Sequence, residues 1–435
     1  MEERMAAQTQ IFSDENKREN WRNSFLWLEA IFYFFQGFYL MGMSTFLGVS
    51  MANFQLTLAQ QATYSAAIGI PSYLKMFFGL LTDRVPFAKF GRRRPYIALG
   101  ALLYVPAFAL LLTQKEFNTL WVVAALAAQV AWVMVDTTLD ALTVDVTPTE
   151  KTGKIQSAAQ SARMAGMALG MLIIPMIGPR IGWTTTVIII GVFAMIQVSA
   201  ALMFREPQVK REDLKNEMKL TQVVKEAFSK KVPWLGILFA IFFMGSIGLS
   251  SMISPYLLTT LGWSQSEELM TIFGVANLVH YGAAALGSAL IGTLVSKYKD
   301  DINFYALGSV IFWILILPWM LVGKGAAVGN YFWVYAAQFS YGIARGAMIV
   351  LTYSVVMRVC SKSIEGFMFA TLTSAMNIGL YALTPNVIAY FEPRFGFASA
   401  LFTALPFTMI GLVVLNVILN DLNKEKEVIP LVEAS

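Results

Sequence analysis

Apolar residues run along this chain in long blocks, and charges gather in the short stretches between them. The blocks cover roughly 24–49, 60–81, 95–113, 119–141, 157–178, 183–204, 233–254, 268–294, 302–322, 329–356, 364–390 and 396–420. About 20 apolar residues cross a hydrocarbon core as a helix, so each block predicts one span. None shows the two-residue alternation of a strand, and open strand edges are not tolerated in lipid. The pattern therefore predicts an all-α membrane protein with twelve transmembrane helices. One long charged stretch, 205–232, interrupts the series after the sixth block. The expected organisation is a polar N-terminal segment over 1–23, a six-helix bundle over 24–204 and a linker over 205–232. A second six-helix bundle over 233–420 and a tail over 421–435 follow. The linker has helix-forming character from Leu214 to Phe228.

Composition agrees with a lipid-facing surface. Hydrophobic residues make up 57% of the 435, charged residues 14%, and mean hydropathy is +0.60. A soluble domain carries about 25% charged residues. Cys360 is the single cysteine and His280 the single histidine, so no intrachain disulfide is possible and a metal centre is not expected. No phosphate-binding loop of the Walker type is present, and one histidine in a span offers no Ser–His–Asp chemistry. These features argue against an enzyme and against a bound cofactor. The first 23 residues lack the basic-then-apolar order of a cleavable signal and are expected to form a short cytoplasmic surface segment.

The net charge of +5 raises the question of an anionic partner. Its distribution answers differently. Of the 32 Lys and Arg, 25 fall on the side shared by both termini and the even loops, 4 fall in odd loops, and Lys75, Arg163 and Arg345 lie inside spans. That asymmetry fits the positive-inside rule with both termini cytoplasmic, in the plasma membrane. The charge is an orientation signal, and no nucleic-acid partner is implied.

The two halves repeat at an offset of 213 residues. Gly79 with Asp83-Arg84 aligns with Gly292 and Ser296-Lys297. Gly153 aligns with Gly366, and Ser161 to Gly166 with Ser374 to Gly379. The bundles are thus pseudo-symmetric. The second loop reads GLLTDRVPFAKFGRRRPY from Gly79 to Tyr96, and Gly79 suits a close helix approach. This loop, with the repeat, resembles the signature of the major facilitator superfamily. The resemblance implies a fold of two parallel six-helix repeats that handle a small molecule at their interface near the midplane. It also implies gating by charge pairs among Asp83, Arg84, Arg92, Arg93 and Arg94, with Asp145 at the end of the fourth span as their partner. Lys75, the FGRRRPY run, and VDTTLDALTVDVTPTEKTGKIQ from Val135 to Gln156 narrow the likeness. They resemble the branch of muropeptide permeases, acetyl-CoA transporters, folate–biopterin transporters and bacteriochlorophyll-delivery proteins. The loop is also similar to that of glycoside–pentoside–hexuronide sugar:cation symporters. Those carry an Asp-Pro pair where this chain has Lys75-Met76.

Ionisable groups inside a membrane are costly and mark functional positions. Asp136 and Asp140 lie one turn apart on the fourth span, and Gln129 and Thr143 share their face. At about 1.5 Å per residue, Lys75 and Arg163 fall at a similar depth and Glu29 somewhat lower. Arg345 and His280 fall near the midplane of the second half. Three acids (Glu29, Asp136, Asp140) can balance three bases (Lys75, Arg163, Arg345). Lys75 with Asp136 or Asp140 reads equally as a static ion pair or a substrate site, and Asp136 as a proton carrier. Glu29 reads as a site residue or a carboxylate reaching the interface. His280 reads as a helix contact or a proton relay, and Arg345 as an anion-binding group. The expected function is secondary active transport of a small organic anion by a monomer, coupled to protons or another ion. A sugar:cation symporter and a non-transporting delivery factor are the alternatives.

Overall fold

The computed structural model describes residues 14–84, 93–148, 151–204, 225, 228–298, 300–322, 330–360 and 365–433, which form helices with no strand among them. A short helix, Asp14–Asn20, precedes α1 (Ser24–Asn53). The second span is three pieces, α2 (Leu58–Ile68), α3 (Ile70–Tyr73) and α4 (Lys75–Arg84). Then come α5 (Arg94–Thr113), α6 (Thr119–Val146), α7 (Thr152–Ile181) and α8 (Trp183–Leu202). The second half holds α9 (Lys231–Gly245), α10 (Glu267–Tyr298), α11 (Ile302–Ile316) and α12 (Phe332–Val359). It ends with α13 (Glu365–Asn377), α14 (Thr384–Phe395) and α15 (Leu405–Glu433).

Among the described residues, ten helices are long and apolar enough to cross a membrane. The other two spans are the broken second one and the shorter apolar helix Trp183–Ser199. The break has a local cause. Pro71 lacks an amide hydrogen, so the ladder tightens into three-residue turns, Ser72 N to Gly69 O at 2.9 Å and Leu74 N to Pro71 O at 3.2 Å. Lys75 starts the next helix immediately after it. In the second half, π turns interrupt two spans at Tyr256–Thr260 and Ile378–Leu383. The linker helix expected from Leu214 to Phe228 lies outside the described residues apart from positions 225 and 228.

The chain forms two compact units. Unit 1 comprises Met1–Gln55, Ala67–Lys219 and Gly262–Leu278; unit 2 comprises Leu56–Ala66, Leu220–Leu261 and Val279–Ser435. Helix α10 thus contributes its first turns to unit 1 and the rest to unit 2. Lipid tails are as apolar as leucine, so helices in a membrane associate through close contact and polar bonds. Unit 1 uses both. A Cβ on Gly166 of α7 would fall on the carbonyl of Phe34 of α1, and one on Gly170 would lie 2.8 Å from the Phe38 carbonyl. Unit 2 repeats the device: a Cβ on Gly379 would fall on the carbonyl of Ile241, and Gly287 and Gly346 let α10 and α12 touch at Ile343 and Ala284. Gly166 and Gly379, aligned by the repeat, therefore do the same work. Gly79 does not. Among the described residues a Cβ there meets Thr137 Cγ2, at an ordinary 3.7 Å, and none shows the close approach expected at this position.

Candidate functional site

Helix α1 carries Glu29, Tyr33 and Gln36 at successive turns, and α6 carries Asp136, Asp140 and Thr143 at the same spacing. The two stripes meet as an antiparallel polar ladder. Gln36 Nε2 donates to Asp136 Oδ1, and Tyr33 OH donates to Asp140 Oδ1. Thr143 Oγ1 lies 3.1 and 3.0 Å from the two carboxyl oxygens of Glu29. Lys75, projecting from the start of α4, clamps two rungs, with Nζ 2.6 Å from Asp136 Oδ2 and 2.9 Å from Asp140 Oδ2. Arg163 of α7 is 3.9 Å from Asp136 Oδ1, and its guanidinium lies 5.7 Å from the centroid of the Tyr33 ring. Gln129 joins α6 to the break in the second span, donating to Ser72 Oγ at 2.8 Å.

The helix geometry explains why these groups tolerate burial. Glu29 and Gln36 are fully buried, and the Asp136 side chain is only 2% exposed. A buried charge survives when paired and hydrogen-bonded. Asp136 meets both conditions, whereas Asp140 is 41% exposed and keeps part of its hydration. The sequence predicts that Glu29, Lys75, Asp136, Asp140 and Arg163 share the cytoplasmic half of the first bundle, and the structure brings all five into one cluster. Tyr33 and Gln36 went unnoticed. The signal was available: with Glu29 they form a polar stripe at helical spacing in an otherwise apolar helix.

Unit 2 has a different centre. Arg345, on α12, is 9% exposed and places Nη1 3.2 Å from His280 Nε2. A guanidinium has no acceptor, so Nε2 is the accepting nitrogen. His280 then carries its hydrogen on Nδ1, which faces the Gln338 carbonyl at 3.4 Å. Both ring nitrogens of a neutral imidazole are thus engaged. The ring stacks on Tyr341, whose hydroxyl donates to the Ile247 carbonyl at 2.7 Å and accepts from the Ser250 amide at 3.0 Å. Arg345 also lies 5.5 Å from the Tyr281 ring centroid. Among the described residues it has no carboxylate partner, and its Nε makes no hydrogen bond.

Of the residues in the signature loop, Arg93 is buried and ties two elements together. Its Nε is 3.0 Å from Asp145 Oδ2 at the end of α6, and its Nη1 donates to Thr82 Oγ1 on α4 at 2.8 Å. Arg94 donates to the Leu202 carbonyl at 2.7 Å. Arg92 and the side chains of Asp83 and Arg84 lie outside the described residues. Unit 2 has a counterpart of reversed polarity, where Asp300 pairs with Arg358 at the end of α12. Arg358 is 213 residues after Asp145, so the repeat places a paired charge at the end of both helices, although their partners Arg93 and Asp300 do not align.

Twelve helical spans in two repeated halves, with charged clusters held within membrane-length helices, define a multi-pass membrane transport protein. The comparisons make this specific: residues 30–325 match the model of the Major Facilitator Superfamily, and the chain belongs to that family. It is 23% identical over 369 residues to the anhydromuropeptide permease of Escherichia coli (strain K12), spanning 81% of this chain and 71% of the relative. It is 24% identical over 371 residues to the folate-biopterin transporter of Synechocystis sp., spanning 80% and 70%. Among solved structures, the nucleoside transporter NupG matches with a TM-score of 0.66 at 14% identity, covering 92% of this chain and 99% of that one. The D-xylose-proton symporter matches at 0.64 and 15%, covering 91% and 96%. Both structures share the fold. Family membership makes the chain a transporter of small molecules, not an enzyme.

Proposed function

We propose that this protein moves a small organic anion across the plasma membrane by alternating access, driven by the proton gradient, as a monomer with both termini in the cytoplasm. The observation that carries this reading is Arg345. It is a buried guanidinium whose described neighbours are a neutral imidazole and tyrosine rings, and it lacks a carboxylate partner among the described residues. A cation at this depth is costly without a counter-ion, and an anionic substrate supplies one. The relatives' names support this in part: folate and the peptide of a muropeptide carry carboxylates, whereas biopterin is neutral. Arg93 and Asp145 serve as part of the gate, together with Asp83, Arg84, Arg92 and Arg94.

The sugar:cation alternative is less well supported. Lys75 Nζ already fills the space between Asp136 and Asp140, where a coupling metal cation would need to bind. The test is uptake of an anhydromuropeptide and of folate into vesicles containing the purified protein. A hydrogen bond to a charged group is worth about 1.5–3 kcal/mol, so Arg345→Ala is expected to slow uptake by about tenfold to a hundredfold. Arg345→Lys keeps the charge and is expected to lose less. Uptake by Arg345→Ala at the unmodified rate would remove Arg345 from the substrate site.

A further inference from the structure

We infer that Glu29, and not Asp136, holds the coupling proton; this rests on the proton-driven reading above. The charge balance of the ladder comes first. Unit 1 sets three acids, Glu29, Asp136 and Asp140, against two bases, Lys75 and Arg163. Arg345, which evens the count along the sequence, belongs to unit 2. One acid in the ladder therefore has no cation to answer it.

The contacts identify which. Asp136 receives Lys75 on Oδ2 and Gln36 on Oδ1, with Arg163 beyond. Asp140 receives Lys75 and Tyr33 and is partly hydrated. Both are arranged as carboxylates. Glu29 is fully buried, and its polar contact is the Thr143 hydroxyl, which lies within 3.1 Å of both carboxyl oxygens. A hydroxyl has one hydrogen and satisfies one of those oxygens. An ionised carboxylate would have that single neutral donor to share between two oxygens, with no cation beside it among the described residues. A protonated carboxyl satisfies both contacts: its O–H donates to Oγ1, and the threonine hydrogen returns to its C=O. A buried acid without a cation neutralises instead of bearing the cost of its charge.

Among the described residues, no other packed element offers Glu29 a counter-charge. On α1 its neighbour is Tyr33. On α6 the nearby titratable group is Asp140, and Asp145 beyond is held by Arg93. On α7 Arg163 is directed to Asp136 and the Tyr33 ring, and α8 carries no charged residue along its length. The short helix packed against α6 carries Lys17, Arg18 and Glu19.

Infrared difference spectroscopy of the full chain in lipid vesicles, stepped from neutral to alkaline pH, tests this directly. The expected result is a carbonyl-stretch band of a protonated carboxyl that is lost at alkaline pH. The band should be missing in Glu29→Gln and retained in Asp136→Asn. Thr143→Val leaves the charge count unchanged and should shift its frequency, because the alcohol partner is gone. No band in the unmodified protein, a band that survives Glu29→Gln, or one that Thr143→Val leaves unmoved would overturn the assignment. The spectra require no substrate. Failure here therefore leaves anion transport standing, and absence of uptake leaves the spectral result intact.

Discussion

Asp136 has two cations within reach, and removing it takes from Lys75 one of its two carboxylates. Asp136→Ala leaves Lys75 with Asp140 as its carboxylate among the described residues, in a largely buried setting. Breaking a buried pair from one side costs about 3–5 kcal/mol, whereas replacing both partners by apolar groups is often close to neutral. Asp136→Ala should therefore lower the thermal unfolding midpoint of the purified protein more than the double substitution Lys75→Met with Asp136→Leu. Equal losses would mean that Lys75 and Asp136 are not a coupled pair. The sequence carried much of this centre, because charges within apolar blocks are conspicuous and one-turn spacing puts Asp136 beside Asp140. What it could not carry was the register of α1 against α6. Which acid meets Lys75 and which meets only a threonine depends on two helices far apart in the chain, and no local spacing fixes that.

At the level of helices, the crossing points decide stability. The α1–α7 crossing depends on Gly166, and the corresponding contact in unit 2 depends on Gly379. Even one methyl at either site would fall on a backbone carbonyl, which cannot move without separating the helices. Gly166→Ala and Gly379→Ala are each expected to lower the unfolding midpoint, by the equivalent of about 1–3 kcal/mol as typical overpacking does. Gly292→Ala is the control, since none of the described residues lies within 4 Å of its added Cβ. A midpoint unchanged in all three would show that these crossings have slack. The spans were legible from hydropathy because lipid imposes a minimum length on every helix that crosses it. The interruptions were less so. Pro71 marks the break in the second span, and the π turns at Tyr256–Thr260 and Ile378–Leu383 lie beside Pro255 and Pro385, which a hydropathy pattern passes over.

For the whole chain, the least obvious spans determine where the charges lie. The pieces from Leu58 to Arg84 and the short helix Trp183–Leu202 are not among the ten that length and composition identify. If the first did not cross, the arginine-rich run that ends at Arg94 would face away from the N-terminus. If the second did not cross, the charged linker would be separated from the N-terminus in the same way. Only when both cross do 25 of the 32 basic residues share one side. Fusions of alkaline phosphatase, which needs disulfides and so is active only outside the bacterial cytoplasm, can read each crossing. Fusions after Lys115, Arg180 and Arg394 are expected to be active; those after Lys151, Lys230 and Asn423 are expected to be silent. Activity after Lys151 would mean that the broken second helix does not span. Activity after Lys230, with Lys151 silent, would mean the same of α8. Either result would leave the halves with unequal numbers of crossings, so that the 213-residue repeat would relate bundles of opposite orientation and the parallel arrangement behind the transport reading would fail.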